Sequence, residues 1–197
     1  EALERLRRKM DRPARRVLVD LGCGSGNFLL TLGVQYPQDD CIGLELRYKR
    51  LVKAARKLER DHLTNVWLLR AEGEHFGEYF RDTSVDTVFI NFPDPWPKRS
   101  HWRKRLINQH LLQVLERLLK PGGALCLKTD HAGYFLHSLG VVSAQPGWRI
   151  ADWTNDLHRR TRPLAGCVEA SVASEFEEMF RSKQKPVFAA VFQPRAL

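Results

Sequence analysis

The sequence predicts an α/β protein built on a mostly parallel, seven-stranded sheet with helices on both faces. Three observations carry that reading. Short apolar runs recur with segments of helical period between them, the order expected of a parallel sheet. The first run ends in closely spaced glycines and opens directly into a helix. Connections are short, and no repeat or low-complexity tract interrupts them.

VLVDL (17–21) forms the first strand, and a helix runs from Asn27 to Gln35. CIGLEL (41–46) is the second strand. In RYKRLVKAARKLER (47–60), Leu51, Ala54, Ala55 and Leu58 fall at i, i+3, i+4 and i+7, which marks an amphipathic basic helix. VWLLR (66–70) and VDTVFI (85–90) are the third and fourth strands. KRLINQHLLQVLERLL (104–119) reads as a helix stopped by Pro121-Gly122-Gly123, and ALCLKT (124–129) as the fifth strand. A helix over 131–142 precedes WRIADW (148–153). SEFEEMFRSK (174–183) is a short helix and PVFAAVF (186–192) a last strand. The irregular stretch 154–172 is expected to be a mobile loop over a site. No domain boundary is visible, so residues 1–197 read as one domain with a basic extension over 1–14. The chain begins at Glu1 rather than Met, and a longer native N-terminus is expected.

A hydrophobic content of 43% and a charged content of 28% are those of a soluble globular protein. No apolar stretch approaches a membrane span, so no membrane partner is expected. Cys23, Cys41, Cys126 and Cys167 are scattered without a CxxC pair, and read as reduced core residues of a cytoplasmic protein. The seven histidines lack metal-ligand spacing, so no metal is expected. A net charge of +9 favours a polyanionic partner, and Arg and Lys are densest in residues 1–16 and 98–105.

Residues 17–28 read VLVDLGCGSGNF. Glycines let the backbone turn sharply and let a ligand approach main-chain N–H groups. In a doubly wound sheet this turn lies at the carboxyl end of the first strand, where ligands bind. The dinucleotide fingerprint needs GxGxxG, and Asn27 in place of its last glycine disfavours a nicotinamide dinucleotide. Glu45, ending the second strand, suits the two hydroxyls of an adenosine ribose. Asp20, before the glycines, suits a cationic ligand better than a pyrophosphate. This order of strand, acid, GxGxG, helix, strand and Glu resembles the Rossmann-like class I methyltransferases. The resemblance implies S-adenosylmethionine as cofactor. Asp20 would lie near the methionine moiety, Gly22, Gly24 and Gly26 in the binding loop, and Glu45 on the ribose.

The fourth strand runs into VFINFPDPWPKR (88–99). Pro93, Pro95 and Pro97 each fix φ and remove a backbone donor, which stiffens the loop. It shares the carboxyl edge with the glycine loop, and Asp94 between two prolines is preorganised. Trp96 offers a flat face for a base or for packing. Asp94-Pro95-Trp96-Pro97-Lys98, followed by Arg99, His101, Arg103, Lys104 and Arg105, resembles the signature of bacterial tRNA (guanine-N7)-methyltransferases of the TrmB type. Lys128-Thr129-Asp130 also matches, and Ser174-Glu175-Phe176-Glu177 stands where that family carries Thr-x-x-Glu. The likeness covers roughly residues 15–193. Arg70-Ala71-Glu72 departs from it, because the family has Asp or Asn near the adenine where this chain has Arg70. There a backbone group or Glu72 substitutes, or the adenine is held more weakly.

The resemblance implies an enzyme that methylates N7 of guanine in tRNA, at guanine 46 of the variable loop. It makes Asp94 catalytic and close to the cofactor, and assigns substrate binding to Lys98, Asp130, Ser174 and Glu177. Asp130 and Glu177 are candidates to accept from the guanine N1–H and N2–H donors. Asp94 either orients the guanine or counters the positive charge that grows on its ring. Lys98 and the basic residues after it, Arg105 included, read as phosphate contacts that position without specifying. tRNA is then the partner, with monomer and homodimer both open. Two other readings stand: a methyltransferase for another RNA position, and a non-catalytic RNA-binding protein of the same fold.

Overall fold

The computed structural model describes Glu4 and residues 15–195, so the basic extension read over 1–14, Glu4 apart, lies outside the described residues. The strands are β1 (Val17–Leu21), β2 (Asp40–Leu44), β3 (Val66–Leu69), β4 (Val85–Asn91), β5 (Leu119–Thr129), β6 (Trp148–Thr154) and β7 (Phe188–Pro194). They form one seven-stranded sheet in the order β3-β2-β1-β4-β5-β7-β6. All pairings are parallel except those of β7, which runs antiparallel to both β5 and β6. The helices are α1 (Asn27–Gln35), α2 (Tyr48–Arg60), α3 (Gln109–Leu118), α4 (Ala132–Ser143) and α5 (Glu175–Ser182).

β1 and β2 are buried at every position, as a central parallel strand covered on both faces must be. Successive side chains of a strand point to opposite faces. Val17, Val19 and Leu21 join one core with Leu111, Leu115 and Tyr134, while Leu18 joins the other with Phe28, Leu29 and Leu32. The strand order reverses between β1 and β4, which leaves a crevice above their carboxyl ends.

Several expectations need correction. The helix expected over 104–119 is split. A 3₁₀ turn covers Arg99–Lys104, and α3 starts only after Asn108, whose side chain accepts from the Leu111 N–H at 2.9 Å. Asn is a strong N-cap, so the true start was written in the sequence. Pro121-Gly122-Gly123 does not stop a helix. It lies inside β5, where the pairing with β4 slips between Val85 and Thr87 and Gly122 takes φ +81°. The extra residues form a bulge, and glycine admits that φ without a Cβ penalty.

The stretch 154–172 is not a loop over the site. Leu164, Cys167, Ala170 and Val172 are buried in the same core as α1. Glu169 pairs with Arg16 at the amino end of β1, the edge opposite the crevice. Its apolar residues fall at no regular period, so nothing in the pattern announced the packing. Cys126 of β5 and Cys167 lie side by side, with Cα atoms 7.0 Å apart. The two lie 41 residues apart in sequence, and only the packing of this stretch brings them together. Cys23 and Cys41 are free and buried. Among the described residues no helix is long and apolar enough to cross a membrane.

Candidate active site

The crevice holds a cavity of about 460 Å³ lined by Gly22, Glu45, Arg47, Asn91, Asp94 and Trp96, among others. Its floor is the glycine loop. Gly22, Gly24 and Gly26 all have positive φ, at +89°, +58° and +81°. The Gly22 and Cys23 N–H groups both donate to the Leu44 carbonyl, at 2.8 and 2.9 Å, which folds the loop over the end of β2. A Cβ at Gly26 would lie 2.8 Å from that of Ala54, so this glycine also lets α1 start against α2.

Glu45 is 7% exposed and sits just beyond β2. Its carboxylate accepts from the Gly24 N–H at 3.0 Å and the Arg47 N–H at 2.7 Å, which fixes it facing the cavity. Asp20 lies behind this wall, 2% exposed, and accepts from the Asn91 side-chain amide at 3.3 Å. Burial pushes its carboxyl up to about 7, opposed by the Asn91 hydrogen bond and reinforced by the Glu45 charge. Arg70 turns back to donate toward the Leu46 carbonyl at 3.4 Å, while Glu72 lines the cavity.

The opposite wall is the proline loop. Phe92 and Trp96 are non-glycine residues at φ +50° and +42°. Such conformations cost about 1–3 kcal/mol each and persist only where the surroundings impose them. Phe92 is held by its N–H to the Lys128 carbonyl at 2.8 Å and by ring contacts with Phe176 and Phe180. Trp96 is held by Arg105, which is only 2% exposed. Its guanidinium donates to the carbonyls of Pro95, Trp96 and Gly133 at 3.1, 3.4 and 3.4 Å. It also stacks 4.7 Å from the Trp102 ring and 5.4 Å from that of Tyr134. Arg105 is therefore a clamp on the loop, which corrects the reading of it as a phosphate contact. Asp94 at the rim is exposed, with Arg47 3.6 Å away.

Of the residues singled out from sequence, Gly22, Glu45 and Asp94 meet at the cavity, Gly24 and Gly26 shape its floor, and Asp20 stands behind it. Asp130, exposed, follows β5 on the same carboxyl edge, and Lys98, also exposed, immediately precedes the 3₁₀ turn. Ser174 and Glu177 do not line the cavity. The Ser174 hydroxyl accepts from the Glu177 N–H at 3.2 Å and caps α5. The Glu177 carboxylate, 2% exposed, receives the Lys128 ammonium at 2.6 Å, and Lys128 also donates to the Val172 carbonyl at 2.7 Å. Burial lowers the Lys128 pKa and Glu177 holds it up. Sequence reasoning missed Arg47, which the alternation of the second strand and the Glu45 assignment could have placed at the rim.

A crevice at a strand-order reversal, floored by a glycine loop beside an acid-tipped second strand, defines a class I methyltransferase that uses S-adenosylmethionine. A solved antibiotic-related methyltransferase shares the fold at a TM-score of 0.70 and 20% identity, over 98% of this chain and 94% of that one. A 30S ribosomal A1408 methyltransferase from an uncultured bacterium does so at 0.64 and 17%, over 98% and 94%. A family model described as a putative methyltransferase matches residues 14–190. The tRNA (guanine-N(7)-)-methyltransferase of Oceanobacillus iheyensis is 35% identical over 170 residues, 86% of this chain and 76% of that one. The bifunctional glycosyltransferase/methyltransferase of Fusobacterium nucleatum is 35% identical over 168 residues, 85% of this chain but 25% of that longer protein. The chain belongs to this putative methyltransferase family, in which the tRNA (guanine-N(7)-)-methyltransferases stand.

Proposed function

We propose that the protein methylates N7 of guanine in tRNA in the bacterial cytoplasm, with guanine 46 of the variable loop as its target. The observation that carries this is Asp94 on a clamped proline loop, facing Glu45 across one cavity. The relatives named for this activity support it. The lining fits S-adenosylmethionine: Glu45 for the ribose hydroxyls, the side-chain-free glycine loop as a floor a ligand can approach closely, and Asp20 behind them as a countercharge. When bound, that cofactor supplies an activated methyl group on a positively charged sulfur.

Guanine N7 has an in-plane lone pair and no proton, so the chain need supply no base. Its work is orientation and exclusion of water. Asp94 faces the charge that grows on the guanine ring, and Trp96 offers its face to the base. Asp130 reads the N1–H and N2–H edge. Glu177 and Ser174 act on that edge indirectly, by holding Lys128 and the start of α5. A base inside folded RNA must leave its stack to reach the cavity.

The test is incubation with tRNA and methyl-labelled S-adenosylmethionine, then borohydride reduction and aniline cleavage. A strand break at guanine 46 is expected. Methylated tRNA that resists cleavage overturns the N7 assignment, and a break elsewhere overturns the position.

Two smaller effects follow from the geometry. Arg105→Lys keeps the charge but cannot reach three carbonyls from a planar fork. Its kcat should fall by about 10²-fold through misplacement of Trp96 and Asp94, with cofactor affinity nearly intact. An unchanged kcat means the loop holds itself. Asp20 should make cofactor binding pH-dependent. With its carboxyl at about 7, the ionised form that favours a cation grows as pH rises. The Kd measured by calorimetry should fall by about tenfold from pH 6 to pH 8, and Asp20→Asn should flatten that profile. In the free protein the native state holds this proton longer than the unfolded chain does. Its contribution to stability therefore falls as pH rises from about 4 to about 7.

A further inference from the structure

α2 is too basic for a helix whose task is to cover a sheet. Residues 47–60 carry seven Arg and Lys against one Glu, and Ala54 is the helix's buried residue. Lys49, Arg50, Lys53 and Arg56 are exposed, and none has an ion pair or side-chain hydrogen bond to any described residue. Cations elsewhere on the sheet are paired differently. Arg15, Arg16, Lys120, Lys128 and Arg160 each pair with a carboxylate.

Placement matters more than number. Arg47 and Arg50 line the cavity, so α2 begins at its rim. Lys49, Lys53 and Arg56 fall at i, i+4 and i+7, one stripe about 10 Å long at 1.5 Å per residue. The positive end of the helix dipole points the same way, toward the rim. Across the cavity, Trp96 and Lys104 line the other wall, at the end of the exposed basic turn Arg99–Lys104. Two basic elements with exposed, unpaired cations thus flank one cavity.

We propose that α2 is an RNA-docking surface: Lys49, Lys53 and Arg56 carry the phosphate backbone on one side of the cavity, opposite the Arg99–Lys104 turn, with the target guanine entering between them. This rests on tRNA being the substrate. Phosphate contacts of this kind fix register and orientation without reading sequence, and each releases counterions.

The test is a Lys49→Gln, Lys53→Gln, Arg56→Gln triple variant, which removes charge and keeps good helix formers. Arg47 and Arg50 stay, so the cavity is untouched. A matched triple, Arg159→Gln, Lys183→Gln and Lys185→Gln, controls for net charge. The α2 variant should raise the KM for tRNA about tenfold or more near physiological salt. The slope of log affinity against log salt should drop by about 2–3, at roughly 0.7–0.9 per lost phosphate contact. kcat at saturating tRNA and the Kd for S-adenosylmethionine should hold. An unchanged KM and slope, or an equal shift in the control, overturns the docking surface while the activity stands. Failure of the unmodified protein to methylate tRNA would instead overturn the function on which it rests.

Discussion

Asp94→Asn is expected to lower kcat by about 10²–10³-fold, the scale of losing one preorganised charge at a reacting centre. The Kd for S-adenosylmethionine should stay within about tenfold, because the substitution is isosteric and the floor, Glu45 and Asp20 are unchanged. Asn keeps the hydrogen-bond acceptor and removes the charge. A large loss in Asp94→Asn comparable to that in Asp94→Ala therefore assigns Asp94 to the growing charge on guanine. Near-normal turnover in Asn with a loss only in Ala would assign it to orientation. Arg47, 3.6 Å from Asp94, bears on the result. It pairs with the carboxylate at the rim, so Arg47→Ala separates the value of that pair from the value of Asp94 itself.

The second large effect is on stability. Lys128 and Glu177 form an ion pair in which both side chains are almost fully buried, at 1% and 2% exposure. Removing one partner leaves an uncompensated charge in the core, so Lys128→Ala or Glu177→Ala should cost about 3–5 kcal/mol in urea unfolding. Replacing both, as Lys128→Met with Glu177→Leu, should recover much of that loss, since two apolar side chains of similar volume need no partner. If the pair only supports the fold, the double variant also regains turnover. If Glu177 touches guanine, stability returns and turnover does not, which would restore the direct contact expected from the sequence.

The framework of the site was legible because backbone chemistry wrote it. Glycines at 22, 24 and 26 are needed where φ turns positive, and prolines at 93, 95 and 97 announce a stiff loop wherever it lies. The end of each apolar run marked the carboxyl edge, so Glu45 and Asp94 could be placed together before any coordinates. What resisted was burial of charge. Arg105 stands among Arg99, Arg103 and Lys104 and looks like them, yet it alone of the four turns inward to three carbonyls. Glu177 looked like a free recognition carboxylate because nothing in SEFEEMF names its partner 49 residues back. Asn108 carried a readable cap signal, but the apolar pattern of 104–119 ran across it. Pro121-Gly122-Gly123 is locally as good a helix stop as a bulge, and only pairing with β4 decides between them.

The position of β7 sets the order in which the chain can be completed. β6 pairs with β7, and β7 alone joins it to β5, so the sheet has a gap until residues 188–194 are inserted. During synthesis the strands from β1 to β5 can pair among themselves as they emerge. β6 must wait for a strand made about forty residues later, and pairings between residues so far apart in sequence form slowly. Until then the facing edges of β5 and β6 are open and able to recruit a strand from another chain. A nascent chain stopped between the two leaves both of those edges unpaired at once.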